Sequence, residues 1–116
     1  EATSKLARAG VTLGLGTDIW QLPDAVHLEL EELVSAGLSP LEAIRAGTGD
    51  AARILGAERD LGTIAEGRLA DLVILDADPL ADIRNTRRIS GVMQNGHIVD
   101  RAALRSRHGR APARAP

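Results

Sequence analysis

The amino-acid sequence predicts an α/β fold from three observations. Residues 11–16 form a short apolar run with strand-like alternation that leads directly to Asp18. Helical periodicity and helix-capping signals dominate residues 24–55. From residue 60 the apolar residues group into short runs separated by turn signals, a pattern typical of strands. The chain therefore changes near residue 58 from a strand with helices to a β-rich half.

The predicted strand at residues 11–16 places a carboxylate at its carboxyl end. Side chains alternate along a strand, so the large apolar residues share one face and the small residues Thr12, Gly14 and Gly16 share the other. Asp18 has the parity of the small residues. Active sites of α/β folds lie at the carboxyl ends of strands, which makes Asp18 a candidate metal or substrate ligand. The alternative is that Asp18 caps the helix that follows.

Helices are predicted on both sides of this strand. The first, at residues 3–9, ends at Gly10. The second begins at Pro23-Asp24 and runs to Ala36, and Gly37 is expected to provide a left-handed exit from it. Two shorter helices follow, and the first of them begins with a capping box and a proline at its first position. The capping box is Ser39-Pro40-Leu41-Glu42, and the two short helices span residues 40–46 and 50–55. The side chains of the second helix that we expect to be buried are Val26, Leu30, Leu33 and Val34.

Three strands are predicted in the second half. Residues 70–76 are strongly apolar, and we expect this strand to be covered on both faces. Residues 88–94 and 97–99 pair around Asn95-Gly96, a dipeptide favoured in type I′ hairpins because both central residues need a positive φ. Three short strands make a poor sheet alone, and one βα unit cannot bury both faces of its strand. Both halves are therefore expected to need further neighbours.

Composition argues against several classes of function. The 116 residues include one Trp and no Phe or Tyr, which argues against aromatic stacking on single-stranded nucleic acid. The absence of Cys excludes disulfides, thiolate metal sites and a cysteine nucleophile, and no apolar run is long enough to span a bilayer. These features are compatible with a cytoplasmic protein. The glycines form no phosphate-binding pattern.

The C-terminal end is basic. Five of the 14 Lys and Arg residues follow Asp100, and no acidic residue does. Together with the Ala/Pro-rich end, this composition predicts a solvated, disordered tail at residues 101–116 rather than a nucleic-acid or membrane contact. The chain begins with Glu1 instead of Met, which suggests a fragment or a processed chain.

Several segments of the sequence follow one another in an order that is specific to one protein family, although each segment alone is weak evidence for it. They are Gly16-Thr17-Asp18, His27-Leu28-Glu29-Leu30, residues 36–44, residues 48–56, residues 61–73 and the Asn95-Gly96 hairpin. In this order they resemble metal-dependent amidohydrolases, in particular the branch of imidazolonepropionase-like enzymes and metal-dependent Xaa-Pro dipeptidases. The resemblance covers residues 10–100.

The resemblance implies a division of the chain. Residues 1–58 would supply the last strand and following helices of a (β/α)8 TIM barrel. Residues 59–100 would supply the C-terminal part of a small β-sandwich domain assembled from both chain ends. The basic tail, residues 101–116, lies outside the resemblance.

The resemblance also implies a chemistry. Asp18 matches the family's metal ligand and acid/base residue after the eighth strand. A divalent metal, with zinc as the first candidate and one or two ions per site, lowers the pKa of bound water, and the carboxylate takes its proton as hydroxide attacks the carbonyl. The expected reaction is hydrolysis of a carbon–nitrogen bond in a cyclic amide, an amide or a dipeptide. The expected partners are that small substrate and, for the full-length protein, a second copy of itself, with no nucleic acid and no membrane.

The chain also departs from the family pattern. The family has a His-x-His pair on the first strand, a carboxylated lysine or glutamate on the fourth, and histidines on the fifth and sixth. Here the histidines are His27, His97 and His108. Because a catalytic zinc needs about three protein ligands, the remaining ligands would lie outside this chain, which we expect to be inactive alone.

Two further residues are candidates for substrate binding. Trp20 follows Asp18 on the same loop and could form a wall of the pocket, or it could simply pack. His27 lies near the start of a helix and could approach the substrate or buttress the loop, or it could be an ordinary polar-face histidine. A second hypothesis for the whole chain is a non-catalytic α+β domain that binds or assembles with a partner.

Overall fold

A computed structural model describes residues 2–18 and 24–108 of the chain. Helices dominate the first half of these residues, and a small antiparallel sheet occupies the second half. The helices are α1 (Ala2–Arg8), α2 (Ala25–Ser35), α3 (Pro40–Ala46), α4 (Gly49–Ile54) and α5 (Arg101–His108), with a 3-10 helix at Ile83–Arg87. The strands are β1 (Leu72–Leu75), β2 (Ile89–Gln94) and β3 (His97–Ile98).

The helix ends follow the predicted local chemistry. Ser39 accepts a hydrogen bond from the backbone N–H of Glu42, and the Glu42 carboxylate accepts one from the backbone N–H of Ser39, so the capping box is confirmed. Gly37 has a φ of 102° just beyond α2, which confirms the left-handed exit. These caps fix where α2 ends and where α3 begins.

The core joins the two halves of the chain. Leu30 from α2, Ala43 from α3 and Ile83 from the 3-10 helix form one buried cluster. Leu15, from the segment before Asp18, packs against this cluster. The segment that carries Asp18 is therefore attached to a core built from both the helical and the β-rich halves.

The sheet has the order β1-β2-β3 and is antiparallel throughout. Asn95 and Gly96 have φ values of 48° and 78°, which confirms the predicted hairpin. A bulge interrupts the pairing of β1 with β2 after Ile74. The expectation that the first strand is covered on both faces is wrong for the described residues, since Val73 is 58% and Ile74 is 47% exposed.

Three further expectations differ from the structure. Residues 11–16 are not a strand, because no neighbouring strand among the described residues offers the ladder of hydrogen bonds that defines one. Val26 is exposed, so the buried stripe of α2 is narrower than predicted. Residues 101–108 form helix α5 instead of a disordered tail, and Asp100 accepts a hydrogen bond from the backbone N–H of Ala103 in its first turn. Residues 109–116 lie outside the described residues.

None of the helices in the described ranges is long and apolar enough to cross a membrane.

Candidate active site around Asp18

Asp18 borders an open cleft of about 370 Å³ between the segment that precedes it and helix α2. Asp18 itself is exposed. The N-cap position of α2 is occupied by Asp24, so Asp18 does not cap this helix. The cleft is lined by Gly16, Thr17, Asp18, Ala25, Leu28, Glu29 and Glu32. Three carboxylates, Asp18, Glu29 and Glu32, therefore line this cleft together with the apolar side chains of Ala25 and Leu28.

The alternation predicted for residues 11–16 is present only from Leu13 onwards, since Val11 is 47% exposed. Leu13 and Leu15 are half-buried, whereas Gly14 and Gly16 are exposed. The backbone N–H of Leu15 donates a hydrogen bond to the carbonyl of Ala46 at 2.9 Å. This contact joins the segment to the end of α3. A Cβ atom built on Gly16 would meet no atom within 4 Å, whereas one built on Gly14 would lie 2.9 Å from the Cδ1 atom of Ile54. Gly16 therefore faces open space, as expected for the side of Asp18, and Gly14 packs against α4.

Glu29 is a site residue that the sequence analysis did not select. Its Oε1 accepts a hydrogen bond from the backbone N–H of Gly16 at 3.1 Å. Its Oε2 is buried and has no hydrogen-bond partner among the described residues. The only sequence signal for the contact of Glu29 with Gly16 was its place in the His27-Leu28-Glu29-Leu30 segment, because a glutamate on a helix is ordinarily expected to face solvent.

Helix α2 is held in place by the 3-10 helix. Leu30 and Ile83 share the buried cluster, and Arg87 forms a half-buried ion pair with Glu31. The Nδ1 atom of His27 lies 3.0 Å from the hydroxyl oxygen of Thr86. The same hydroxyl lies 2.9 Å from the carbonyl oxygen of Ile83, so it links the imidazole of His27 to the backbone of the 3-10 helix.

The two predicted substrate-binding residues have different outcomes. His27 is half-buried in its contact with Thr86 and is not one of the residues that line the cleft beside Asp18. A role for His27 in substrate binding stays a prediction, and the contact with Thr86 gives the imidazole a structural partner. Trp20 lies outside the described residues.

The carboxylates of the cleft do not by themselves form a metal site. Within residues 2–18 and 24–108, no three His, Cys, Asp or Glu side chains are grouped so that they could hold a metal ion. A catalytic zinc needs about three protein ligands. Asp18 can serve as one exposed oxygen ligand, so this part of the chain fits a share of a metal site and not a whole one.

Comparison with known protein families decides the relationship. The model of the amidohydrolase family matches residues 1–99. The chain belongs to the amidohydrolase family. The predicted resemblance is thereby confirmed, and imidazolonepropionases and a Xaa-Pro dipeptidase are among the proteins to which the chain is similar.

Three relatives illustrate the match. The chain is 40% identical over 79 residues to an ochratoxinase of Aspergillus niger, covering 66% of this chain and 16% of the relative. It is 38% identical over 79 residues to an imidazolonepropionase of Rubrobacter xylanophilus, covering 62% of this chain and 18% of the relative. A solved structure of a Xaa-Pro dipeptidase with bound methionine in its active site superposes with a TM-score of 0.77 at 28% identity, covering 84% of this chain and 24% of that one.

These matches support an α/β fold related to amidohydrolase structures and a place among hydrolases of this family. The chain spans about a sixth of the ochratoxinase and about a quarter of the dipeptidase.

Proposed function

We propose that this chain supplies the eighth barrel strand and the acid/base carboxylate of a metal-dependent hydrolase that cleaves carbon–nitrogen bonds. Asp18 is the proposed metal ligand and proton carrier. The substrate is a cyclic amide, an amide or a dipeptide. The observation that carries the proposal is the place of Asp18, exposed at the mouth of a cleft and inside a family match that extends over residues 1–99.

In this proposal Asp18 acts by moving one proton. A divalent metal, with zinc as the first candidate, lowers the pKa of bound water when it is present in such a site. The Asp18 carboxylate accepts a proton from the attacking water and donates it to the leaving nitrogen, which turns a poor leaving group into a neutral amine. Gly16, two residues before Asp18, leaves room for the substrate carbonyl, since a Cβ atom built there would meet no atom within 4 Å.

We further propose that the chain works as part of a longer enzyme. Large apolar side chains remain exposed among the described residues, with Leu55 at 80% and Ile64 at 88%. The segment at residues 11–16, which has no strand partner among the described residues, would gain strand partners from other parts of a barrel. Both features, and the small share of the relatives that this chain spans, support the prediction that it is inactive alone.

The first test reads the coding DNA on the 5′ side of the codon for Glu1. A barrel of this class needs roughly 200–300 residues, and the proposal requires a His-x-His pair and two later histidines in that region. A start codon immediately before Glu1, without those residues, would refute the enzyme and favour the non-catalytic domain.

The second test uses the full-length protein and its Asp18→Asn variant. We expect the wild type to hydrolyse at least one of three probes: a Xaa-Pro dipeptide, a simple amide and a cyclic amide. Asp18→Asn should lower kcat by about 10³-fold or more, because it removes both a ligand and the proton carrier. Asp60→Asn, at an exposed aspartate outside the cleft, is the matched control and should leave kcat unchanged. Equal activity of both variants would contradict the role of Asp18.

A further inference from the structure

We propose that Glu29 is a positioning residue whose carboxylate holds the segment before Asp18, and so Asp18 itself, in the position that hydrolysis requires. This inference rests on the proposed function of Asp18. It assigns a role to a side chain that lines the cleft, accepts a hydrogen bond from the backbone N–H of Gly16, and has a second carboxylate oxygen that is buried without a partner among the described residues.

The hydrogen bond between Glu29 and Gly16 restrains the position of the Asp18 backbone. The Oε1 atom of Glu29 accepts from the backbone N–H of Gly16, which precedes Asp18 by two residues. Two residues span at most about 7 Å of chain, so fixing Gly16 confines the Asp18 backbone to a short arc. A glycine is free to adopt many backbone conformations, and an external anchor is therefore more valuable there than at a stiffer residue.

The anchor is itself rigid. Leu30, the next residue of α2, is buried against Ile83, and Glu31 pairs with Arg87 of the 3-10 helix. The two residues that follow Glu29 are thus fixed by a segment more than fifty positions further along the chain. A hydrogen bond from an amide to a carboxylate is also stronger than one between neutral groups.

The bond to Gly16 is the one attachment of the Glu29 carboxylate within the part of the chain that the structure describes. Its Oε2 has no donor there, and leaving a buried acceptor unpaired is unfavourable. Glu29 is therefore not part of a wider network that would stabilise α2 by itself. Among the described residues, a substitution at this position therefore removes the hydrogen bond to Gly16 and alters one wall of the cleft beside Asp18.

Steady-state kinetics of the full-length enzyme test this proposal. Glu29→Ala should lower kcat by about 10- to 100-fold with KM within about twofold, because a small displacement of a catalytic group costs rate more than binding. Glu29→Gln keeps the accepting oxygen and should restore most of kcat. Glu29→Asp, one methylene shorter, should behave like Glu29→Ala and serves if the alanine variant does not fold. Glu58→Ala removes an exposed glutamate outside the cleft and should match the wild type.

Hydrogen exchange supplies a readout that does not depend on turnover. We expect faster amide exchange in residues 13–18 of Glu29→Ala, with α2 unchanged and with the wild-type rate in Glu29→Gln. A wild-type kcat in Glu29→Ala, or faster exchange throughout α2, would overturn the positioning role. A wild type that hydrolyses none of the probes would refute the proposed function and the catalytic part of this inference, and the exchange rates would then show separately whether Glu29 anchors the loop.

Discussion

Replacing Gly62 by alanine should destabilise the protein for two separable reasons. Gly62 lies beyond α4 with a φ of 86°, a conformation that is unfavourable for a residue with a side chain. A Cβ atom there would also lie 2.6 Å from the Cβ of Ala52 and 2.8 Å from the carbonyl oxygen of Thr48. Neither neighbour is the end of a flexible side chain, so relief of these contacts requires a backbone shift.

The expected loss of unfolding free energy in Gly62→Ala has two contributions. The left-handed φ costs about 1–2 kcal/mol for a non-glycine residue. Overpacking against rigid neighbours adds about 1–3 kcal/mol. Gly62→Ala should therefore lower the free energy of unfolding by about 2–5 kcal/mol.

Gly67 provides the matched control. Its φ is 80°, and a Cβ built there would have no atom within 4 Å. Gly67→Ala should show the backbone cost alone, about 1–2 kcal/mol. Urea denaturation of both variants, followed by circular dichroism, measures the difference. Equal losses in the two variants would refute the contribution of the close contacts to Ala52 and Thr48.

Two further predictions concern the core and the capping box. Ile83→Ala should cost about 2–5 kcal/mol, since Ile83 is buried in the cluster with Leu30 and Ala43, whereas Leu80→Ala, at a residue that is 51% exposed, should cost clearly less in the same urea titration. Hydrogen bonds from the backbone N–H and then the hydroxyl of Ser39 hold the pKa of Glu42 below its ordinary value of 4.5. Glu42 therefore stabilises the fold fully above that value, and the contribution is lost as the pH falls through the lowered pKa. The stability difference between wild type and Glu42→Gln should be present at about pH 7 and vanish at about pH 2; a difference that grows with acidity would contradict this sign.

Local signals predicted local structure well. The capping box at Ser39, the left-handed Gly37 and the Asn95-Gly96 hairpin each depend on a few adjacent residues, and all three are present in the structure. The strand at residues 11–16 depends instead on a partner strand, which the sequence of the segment cannot supply. Its alternation nevertheless indicated correctly that Leu15 faces the core.

The candidate site was predicted in part for the same reason. Asp18 stood out because it follows an apolar run, and the structure places it at a cleft. Glu29 did not stand out, since its role depends on a contact with Gly16 that lies thirteen residues away. The contact of His27 with Thr86 spans an even longer interval and has no local signature.

The position of the 3-10 helix has a consequence for exchanging parts between related enzymes. Ile83, Thr86 and Arg87 lie in the β-rich half, yet each contacts a residue of α2 or its cluster. A chimera that takes residues 59–100 from a relative would replace one side of all three contacts and keep the other. The segments that must be exchanged together are therefore those that contact α2. A chimera that keeps these contacts takes α2 and Ile83–Arg87 from the same parent.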